Sequence, residues 1–200
     1  MKIGVLALQG GFDAHSKRLA EIGVESVLIR NESELDSVEG LIIPGGESTT
    51  LLKLCDKSFR DKIASKVKAG FPILTTCAGT ILIANEVSNP PQESLKLIDI
   101  GVERNAYGRQ VDSFITKEIE SDSSLSKDPF EVVFIRAPKI ISTGKDVKVL
   151  VKCGGEPVLV QSNNVLAATF HPELSSSGIV HQYFTNLVEA GILTKSTPIQ

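Results

Sequence analysis

Three short segments of this 200-residue sequence combine residue types that could together cleave an amide or ester bond. Each segment follows a stretch typical of a buried β-strand. They contain a cysteine at a strand-to-helix turn, a histidine two residues before a glutamate, and a pair of glycines in a polar turn. Acyl transfer through a thioester needs a nucleophile, a base with an orienting carboxylate, and a backbone donor for an oxyanion.

The first segment, Thr75-Thr76-Cys77-Ala78-Gly79, joins a predicted strand to a predicted helix. A nucleophile on such a turn points away from the sheet, and the start of the helix favours the thiolate. By residue type alone, Cys77 could equally be a small buried side chain. Cys55 falls within a predicted helix and Cys153 within a predicted strand, so we interpret those two as structural.

His171 and Glu173 follow the predicted strand at residues 165–169. The proline between them favours an extended backbone at His171, and residues two apart in an extended segment share a face. We therefore expect the carboxylate of Glu173 to orient the imidazole, as the third member of a catalytic triad does. The alternative is a surface histidine beside a surface glutamate. His15 and His181 fall within predicted helices, and we interpret them as structural.

The third segment is the turn Pro44-Gly45-Gly46-Glu47-Ser48-Thr49-Thr50. Its glycines tolerate positive φ and expose backbone N–H groups, which could stabilise a developing oxyanion. We expect Ser48 or Thr49 to cap the helix that follows. The alternative is a tight turn without chemistry. The segment lacks the Gly-Lys-Ser/Thr element of a phosphate-binding loop.

The elements that position these segments alternate in the first half of the chain. Strands are predicted at residues 3–8, 24–29, 40–43 and 72–75, with helices at 12–22, from Ser48 to before Gly70, and at 78–85. This order predicts an α/β, three-layer, flavodoxin-like fold with a mostly parallel central sheet and helices on both faces. Ligands bind outside the carboxyl ends of the strands in such sheets, where all three segments fall.

The second half of the chain is rich in valine and isoleucine and contains few helical patterns. Short strands are predicted at residues 98–102, 111–119, 132–135, 147–153, 158–161 and 165–169, and a final helix at 179–190. Some of these strands should extend the main sheet, and others should form a small antiparallel extension. With no internal repeat and no long linker, we expect one domain over residues 1–200.

Composition excludes several classes of function. The 24 acidic and 21 basic residues give a net charge of −3, which provides no basic field for nucleic acid or an anionic membrane. Three irregularly spaced cysteines form neither a disulfide framework nor a zinc motif. No signal peptide and no membrane-spanning apolar run is seen. We expect a soluble cytoplasmic protein without a metal site.

The sequence resembles the class I, triad-type glutamine amidotransferases and, within them, the glutaminase subunits of pyridoxal 5′-phosphate synthases. The matching stretches are residues 3–10, 41–50, 76–79, 102–105, 108–114, 134–138 and 170–174. Many class I amidotransferases share the cysteine turn and the His-Pro-Glu segment. The turn at 45–50 and the stretches at 109–114 and 134–138 are particular to that subunit. Thr75 stands where the family usually has glycine, and Thr80 where it usually has an aliphatic residue.

The resemblance implies roles for the matched residues. Cys77 would be the nucleophile, His171 the base and Glu173 its partner. The glutamine site would comprise Gly46, Glu47, Ser48, Arg104, Ile135 and Arg136. The oxyanion hole would comprise Gly45, Gly46 and Ala78. Because the first strand of a flavodoxin-like sheet lies beside the third, Gln9 and Gly10 should adjoin the glycine turn and couple it to a partner.

The function implied is hydrolysis of L-glutamine to glutamate and ammonia, without a metal or organic cofactor. The ammonia would pass to a synthase subunit that builds pyridoxal 5′-phosphate, in a large ring with one glutaminase per synthase subunit and lyase activity overall. One alternative is the glutaminase subunit of another class I amidotransferase, such as imidazole glycerol phosphate synthase. Another is a non-catalytic regulatory module on the same fold.

Overall fold

The structure, a computed structural model, describes residues 1–106 and 113–196 of the chain. Its first half alternates strands and helices, with a 3₁₀ helix at Glu32–Ser37 between the second and third strands. The elements are β1 Lys2–Leu6, α1 Phe12–Glu21, β2 Glu25–Ile29, β3 Gly40–Ile43, α2 Ser48–Leu54, α3 Lys57–Lys68, β4 Ile73–Thr76 and α4 Ala78–Ile83.

The second half consists mainly of strands and ends in a long helix. The elements are β5 Ala84–Ser88, β6 Ile98–Glu103, β7 Ser113–Thr116, β8 Ile119–Ser121, β9 Val132–Ile135, β10 Lys139–Thr143, β11 Lys148–Cys153, β12 Glu156–Ser162, β13 Val165–Ala168 and α5 Ile179–Ser196. Sequence patterns predicted most of these strands but not β5 or β10. The single strand predicted at 111–119 was wrong in detail, because β7 ends at Thr116 and β8, which begins at Ile119, belongs to a different sheet. The start of the strand predicted at 111–119 and the resemblance stretch at 108–112 lie outside the described residues.

The large sheet has the strand order β2-β1-β3-β4-β13-β12-β11-β8. Its first five strands are parallel, in the order of a flavodoxin-like sheet, and the remaining pairings are antiparallel. The antiparallel extension expected from sequence is present in two smaller sheets, β10-β6-β5 and β7-β9, although β5 and β6 are parallel to each other. The carboxyl ends of β3, β4 and β13 are therefore neighbours, and these are the ends that carry the three candidate segments.

Helices cover both faces of the large sheet, which gives the three layers predicted. Val5 and Leu6, adjacent in β1, point into different hydrophobic cores. One core also holds Ile63 of α3, and the other holds Leu19 of α1 and Phe184 of α5. In the part of the chain that the structure describes, no helix has the length and apolar character needed to cross a membrane.

Two helix predictions were wrong in detail. The helix expected from Ser48 to before Gly70 is two helices, because the backbone is extended at Asp56 and the Asp56 carboxylate accepts the N–H of Phe59 to cap α3. An aspartate that caps a new helix outweighs the apolar stripe that suggested continuity. The helix expected at 78–85 ends at Ile83, because the chain becomes extended at Ala84 and joins the sheet with β6.

Candidate active site

Cys77 lies on a tight turn between β4 and α4. Its backbone has φ 46° and ψ −104°, in a region that residues other than glycine rarely adopt. Its N–H donates to the carbonyl oxygen of Ala168 at 2.9 Å, which ties the turn to β13. Ala78 begins α4, so its N–H is among those at a helix start that have no acceptor within the helix. The predicted strand-to-helix elbow is present and presents both the thiol and a backbone donor.

Two glycines allow close packing around this elbow. A Cβ on Gly79 would lie 2.3 Å from the carbonyl oxygen of Ile43, so α4 packs directly on the end of β3. A Cβ on Gly45 would lie 2.6 Å from Cε1 of His171 and 3.1 Å from Cβ of Cys77. The backbone at Gly45 therefore contacts both residues predicted to react, and a larger side chain there would separate or displace them.

The two threonines that depart from the usual family pattern contact each other. Thr75 and Thr80 are fully buried, and their hydroxyl oxygens lie 3.0 Å apart. Thr80 donates to the carbonyl oxygen of Ala168 at 2.6 Å, so its oxygen accepts the hydroxyl proton of Thr75. Thr75 is thus accommodated beside the elbow by its hydrogen bond to Thr80.

His171 and Glu173 are brought together, although not through the extended backbone predicted. Pro172–Leu174 form a 3₁₀ helix with His171 at its start, where φ is −108° and ψ 83°. Nδ1 of His171 lies 2.8 Å from Oε1 of Glu173. The backbone N–H of His171 donates to the carbonyl oxygen of Val133 in β9 at 2.8 Å, which ties His171 to that strand. The turn brings the carboxylate back toward the imidazole, as side chains on one face of an extended segment would also do.

The environment favours a charged pair at these residues. Burial by itself would lower the pKa of His171, but its hydrogen bonds with Cys77 and Glu173, and their charges, raise that pKa well above its usual value. Burial by itself would raise the pKa of Glu173, but the hydrogen bond from His171 and the positive charge of that ring lower it. Glu173 is therefore ionised at neutral pH, and it supports an imidazolium at His171 beside the sulfur of Cys77.

The residue that caps α2, after the turn that follows β3, is not one of those predicted. Glu47, rather than Ser48 or Thr49, caps α2, and its carboxylate accepts the N–H groups of Thr49 at 3.1 Å and Thr50 at 2.6 Å. Burial opposes ionisation of Glu47, but these hydrogen bonds lower its pKa to about 2. Ser48 is buried and donates to the amide oxygen of Gln92 at 2.8 Å. Glu47 is therefore anionic and held in place by α2.

Gln9 and Gly10 adjoin this turn, as the pairing of β1 with β3 predicts. The amide oxygen of Gln9 accepts the backbone N–H of Glu47 at 3.1 Å. Gly46 has φ 143°, and a Cβ there would lie 2.2 Å from the same amide oxygen. A Cβ on Gly10 would lie 1.7 Å from the carbonyl oxygen of Gly45, so the two loops are in backbone contact. A movement at Gln9 would therefore reach the glycine turn directly.

All six residues predicted to bind glutamine line one cavity of about 440 Å³, together with Cys77 and His171. These six are Gly46, Glu47, Ser48, Arg104, Ile135 and Arg136. Ile81 and Asn105 also line the cavity and were not predicted. Arg104 lies 3.6 Å from Glu47, and the carbonyl oxygen of Ile135 lies 4.0 Å from the sulfur of Cys77. The cavity has a size typical of small-molecule sites.

The other two cysteines lie in different surroundings. Burial raises the pKa of Cys55 to about 12, and burial also raises that of Cys153. A thiol that stays protonated is a poor nucleophile. Within residues 1–106 and 113–196, no group of three or more His, Cys, Asp or Glu side chains is placed to hold a metal ion.

Sequence patterns missed a histidine cluster behind the candidate triad. His15 of α1 and His181 of α5 are both fully buried, and Nε2 of His15 lies 3.3 Å from Oε2 of Glu173. One sequence feature could have indicated the burial of His15. His15 lies one helical turn before Leu19, so both are on the apolar face of α1. A histidine on the buried face of a helix was interpreted as structural, but this one reaches the candidate site.

Comparisons with known proteins agree on one family. A sequence model described as the SNO glutamine amidotransferase family matches residues 5–190. The pyridoxal 5′-phosphate synthase subunit PdxT of Thermosipho africanus is 48% identical over 190 residues, which is 94% of this chain and 100% of that protein. The subunit of the same name from Koribacter versatilis is 48% identical over 191 residues, 96% and 97% of the two chains. A crystal structure of a glutamine amidotransferase superposes with a TM-score of 0.87 at 41% identity, covering 94% of this chain and 98% of its own.

Proposed function

This chain belongs to the SNO glutamine amidotransferase family, and we propose that it is the glutaminase subunit of a pyridoxal 5′-phosphate synthase. The observation that carries the proposal is the cavity onto which Cys77 and His171 both open, with Glu173 hydrogen-bonded behind the imidazole. The names of the relatives favour this function over that of the imidazole glycerol phosphate synthase subunit. An intact candidate triad argues against a non-catalytic module.

The first half of the proposed reaction forms a thioester. At the start of the reaction His171 already holds the proton of the Cys77 thiol, and the sulfur attacks the side-chain amide carbon of L-glutamine. The negative charge that develops on the amide oxygen is stabilised by backbone N–H groups of the Gly45-Gly46 turn and of Ala78. His171 then donates its proton to the leaving nitrogen, so ammonia departs and a glutamyl thioester remains on Cys77.

The second half of the reaction releases glutamate. His171, now neutral, removes a proton from water, and the resulting hydroxide attacks the thioester carbonyl. The carbon–sulfur bond breaks, glutamate leaves, and Cys77 and His171 return to their starting state. Glu173 stabilises the imidazolium in both halves through its 2.8 Å contact with Nδ1 of His171.

The cavity supplies contacts for the ends of glutamine that do not react. The guanidinium groups of Arg104 and Arg136 suit the α-carboxylate, because the planar fork of arginine matches carboxylate geometry. Glu47 is anionic and lies at the same cavity, where it suits the α-ammonium group. Ser48 and Ile135 complete the lining, as the resemblance implies.

The proposed partner is the synthase subunit, which would receive the ammonia and combine it with sugar phosphates. The assembly would be a large ring with one glutaminase per synthase subunit, with lyase activity overall. Coupling would pass through Gln9 and Gly10, since Gln9 accepts the N–H of Glu47 at the proposed oxyanion turn.

Glutamate release in the presence of the synthase subunit tests the proposal. We expect Cys77→Ala to abolish release while the unfolding midpoint stays close to that of the wild type, because the elbow side chain points into the cavity. Cys153→Ala is the matched control, since Cys153 lies on β11, away from the cavity, and should retain full activity. A Cys77→Ala variant that kept more than a small fraction of the rate would overturn the mechanism.

A further inference from the structure

A buried chain of polar side chains continues behind the candidate triad. Nε2 of His15 lies 3.3 Å from Oε2 of Glu173 and 3.3 Å from the hydroxyl oxygen of Thr76, the residue before the elbow cysteine. Nδ1 of His15 lies 2.9 Å from Nε2 of His181. Both rings are fully buried, and neither lines the cavity. The mechanism proposed above makes no use of His15 or His181.

Glu173 needs a second partner. Its Oε1 atom is bonded to His171, but its Oε2 atom is buried and forms no hydrogen bond of standard geometry within the described residues. A buried carboxylate oxygen without a donor is costly. His15 is the histidine whose ring nitrogen faces Oε2, so a proton on Nε2 of His15 would satisfy it.

The surroundings decide which nitrogens carry protons. Burial lowers the pKa values of both His15 and His181, so each neutral ring carries one proton at neutral pH. If His15 donated from Nδ1 to His181, the proton of His181 would sit on its own Nδ1, which is buried and has no hydrogen-bond partner among the described residues. The lone pair on Nε2 of His15 would then face the carboxylate of Glu173. Both arrangements are unfavourable.

The opposite arrangement removes both penalties. His181 donates from Nε2 to Nδ1 of His15, and His15 presents its Nε2–H to Oε2 of Glu173 and to the hydroxyl oxygen of Thr76. The unpartnered Nδ1 of His181 is then a bare lone pair, and protein interiors contain unpaired acceptors more often than unpaired N–H groups. Both histidine protons then point toward the carboxylate of Glu173.

We propose that His15 is a positioning residue for the glutaminase reaction: its Nε2–H holds the carboxylate of Glu173 in the orientation that presents Oε1 to His171, and His181 fixes the required tautomer of His15. The inference rests on the proposed function. His15 touches neither the cavity nor the proposed reacting atoms, so its contribution should appear in kcat rather than in KM.

A pair of amide substitutions separates this role from simple core packing. The amide nitrogen of glutamine can reach the position of Nε2, whereas that of asparagine reaches only the position of Nδ1. Both substitutions place an uncharged amide in the same buried site. His15→Gln should therefore retain a donor to Glu173, and His15→Asn should lose it while keeping its polarity.

The expected result is a split between the two variants in glutamate release with the synthase subunit. For His15→Asn we expect kcat to fall about tenfold or more, the effect of losing one hydrogen bond to a charged group. KM should stay within about twofold, since substrate contacts are untouched. For His15→Gln we expect kcat within about threefold of the wild type. Equal kcat values for the two variants, or a loss confined to KM, would overturn the proposal.

A second measurement on the wild-type chain does not depend on turnover or on the folding of a variant. The chain has three histidines, so ¹⁵N-histidine NMR spectra can be assigned with single-histidine variants. We expect His15 to be neutral, with a protonated Nε2 and an unprotonated Nδ1. The opposite tautomer, or a doubly protonated ring at neutral pH, would overturn the proposal. Absence of wild-type glutamate release with the synthase would instead count against the proposed function.

Discussion

At the scale of single residues, the three members of the candidate triad differ in how replaceable they are. In the proposed reaction, Cys77 forms a covalent bond with the substrate and His171 transfers protons, whereas Glu173 acts through its 2.8 Å contact with the imidazole. Water can partly replace an orienting carboxylate but cannot replace a nucleophile or the group that protonates ammonia. The triad therefore predicts a graded set of losses rather than three equal ones.

We expect His171→Ala to reduce the rate of glutamate release nearly as much as Cys77→Ala, and Glu173→Ala to retain more activity than either. Groups that act as one unit give non-additive losses, so Cys77→Ala combined with His171→Ala should be no worse than the single variants. Rates are measured with saturating glutamine and the synthase subunit. Wild-type activity in His171→Ala would refute its assignment as the base.

At the scale of secondary-structure elements, the elbow is held by one carbonyl group. Ala168, at the end of β13, accepts the backbone N–H of Cys77 and the hydroxyl of Thr80, and Thr75 donates to Thr80 in turn. β4, α4 and β13 are therefore joined close to the point where β13 leads toward His171. This arrangement fixes Cys77 relative to His171 through backbone and buried hydroxyl groups.

A double-mutant cycle tests this junction. Thr75→Val removes a donor but leaves the bond from Thr80 to Ala168 intact, so we expect a loss of about 0.5–1.5 kcal/mol in unfolding free energy. Thr80→Val leaves the buried hydroxyl of Thr75 without its acceptor, and we expect about 1–3 kcal/mol. The double variant should lose less than the sum, with a coupling of about 1 kcal/mol measured by urea unfolding. Additive losses would show that the hydroxyls act independently.

At the scale of the whole molecule, the sheet order followed from sequence because each strand-helix unit has a clear apolar pattern and right-handed crossovers leave few arrangements. Local competition explains the errors. Asp56 caps α3, although the apolar stripe on either side of it suggested one continuous helix. Pro172 begins a 3₁₀ helix, although a proline was expected to favour an extended segment. The contact of His15 with Glu173 depends on α1 packing against that turn, which no local pattern encodes.

The buried histidines make stability depend on pH in a narrow window. His15 and His181 have lowered pKa values in the folded state, so below about pH 6.5 the unfolded chain binds more protons. The free energy of unfolding should therefore decrease as the pH is lowered, by up to about 1.4 kcal/mol per pH unit for each histidine. His171, whose pKa is raised, binds more protons in the folded state near pH 6.5 and opposes this slope there, but it is protonated in both states below about pH 5.5. The groups facing the two rings are Glu173, His171 and Arg18.

Urea unfolding between pH 5 and pH 6.5 measures this slope, since the lowered carboxylate pKa values act only below about pH 4.5. His181→Leu should reduce the slope, because it removes one of the two neutral buried rings. Gln182→Ala, an exposed position on the same helix as His181, is the control and should leave the slope unchanged. A slope that His181→Leu does not alter would contradict the assignment of a neutral buried His181.

The contact between Gln9 and the glycine turn offers a route by which the proposed partner could control activity. In the isolated chain, Gln9 accepts the N–H of Glu47 at 3.1 Å, next to the glycine turn proposed as oxyanion hole. A synthase subunit that contacts the Gln9 loop could turn a peptide of that turn toward the substrate. Because one oxyanion donor is worth about 10²–10³ in rate, we expect the free chain to be nearly idle and the complex active.

Glutamate release with and without the synthase subunit, repeated for Gln9→Ala, measures the coupling. We expect the synthase to activate the wild type strongly and Gln9→Ala only weakly. Gln182→Ala is the matched control, because Gln182 is an exposed glutamine on α5 that bonds to Asn186 and should be activated normally. Equal wild-type rates with and without synthase would rule out activation by the partner. Full activation of Gln9→Ala would instead rule out this route, since the amide of Gln9 would then be dispensable for aligning the oxyanion turn.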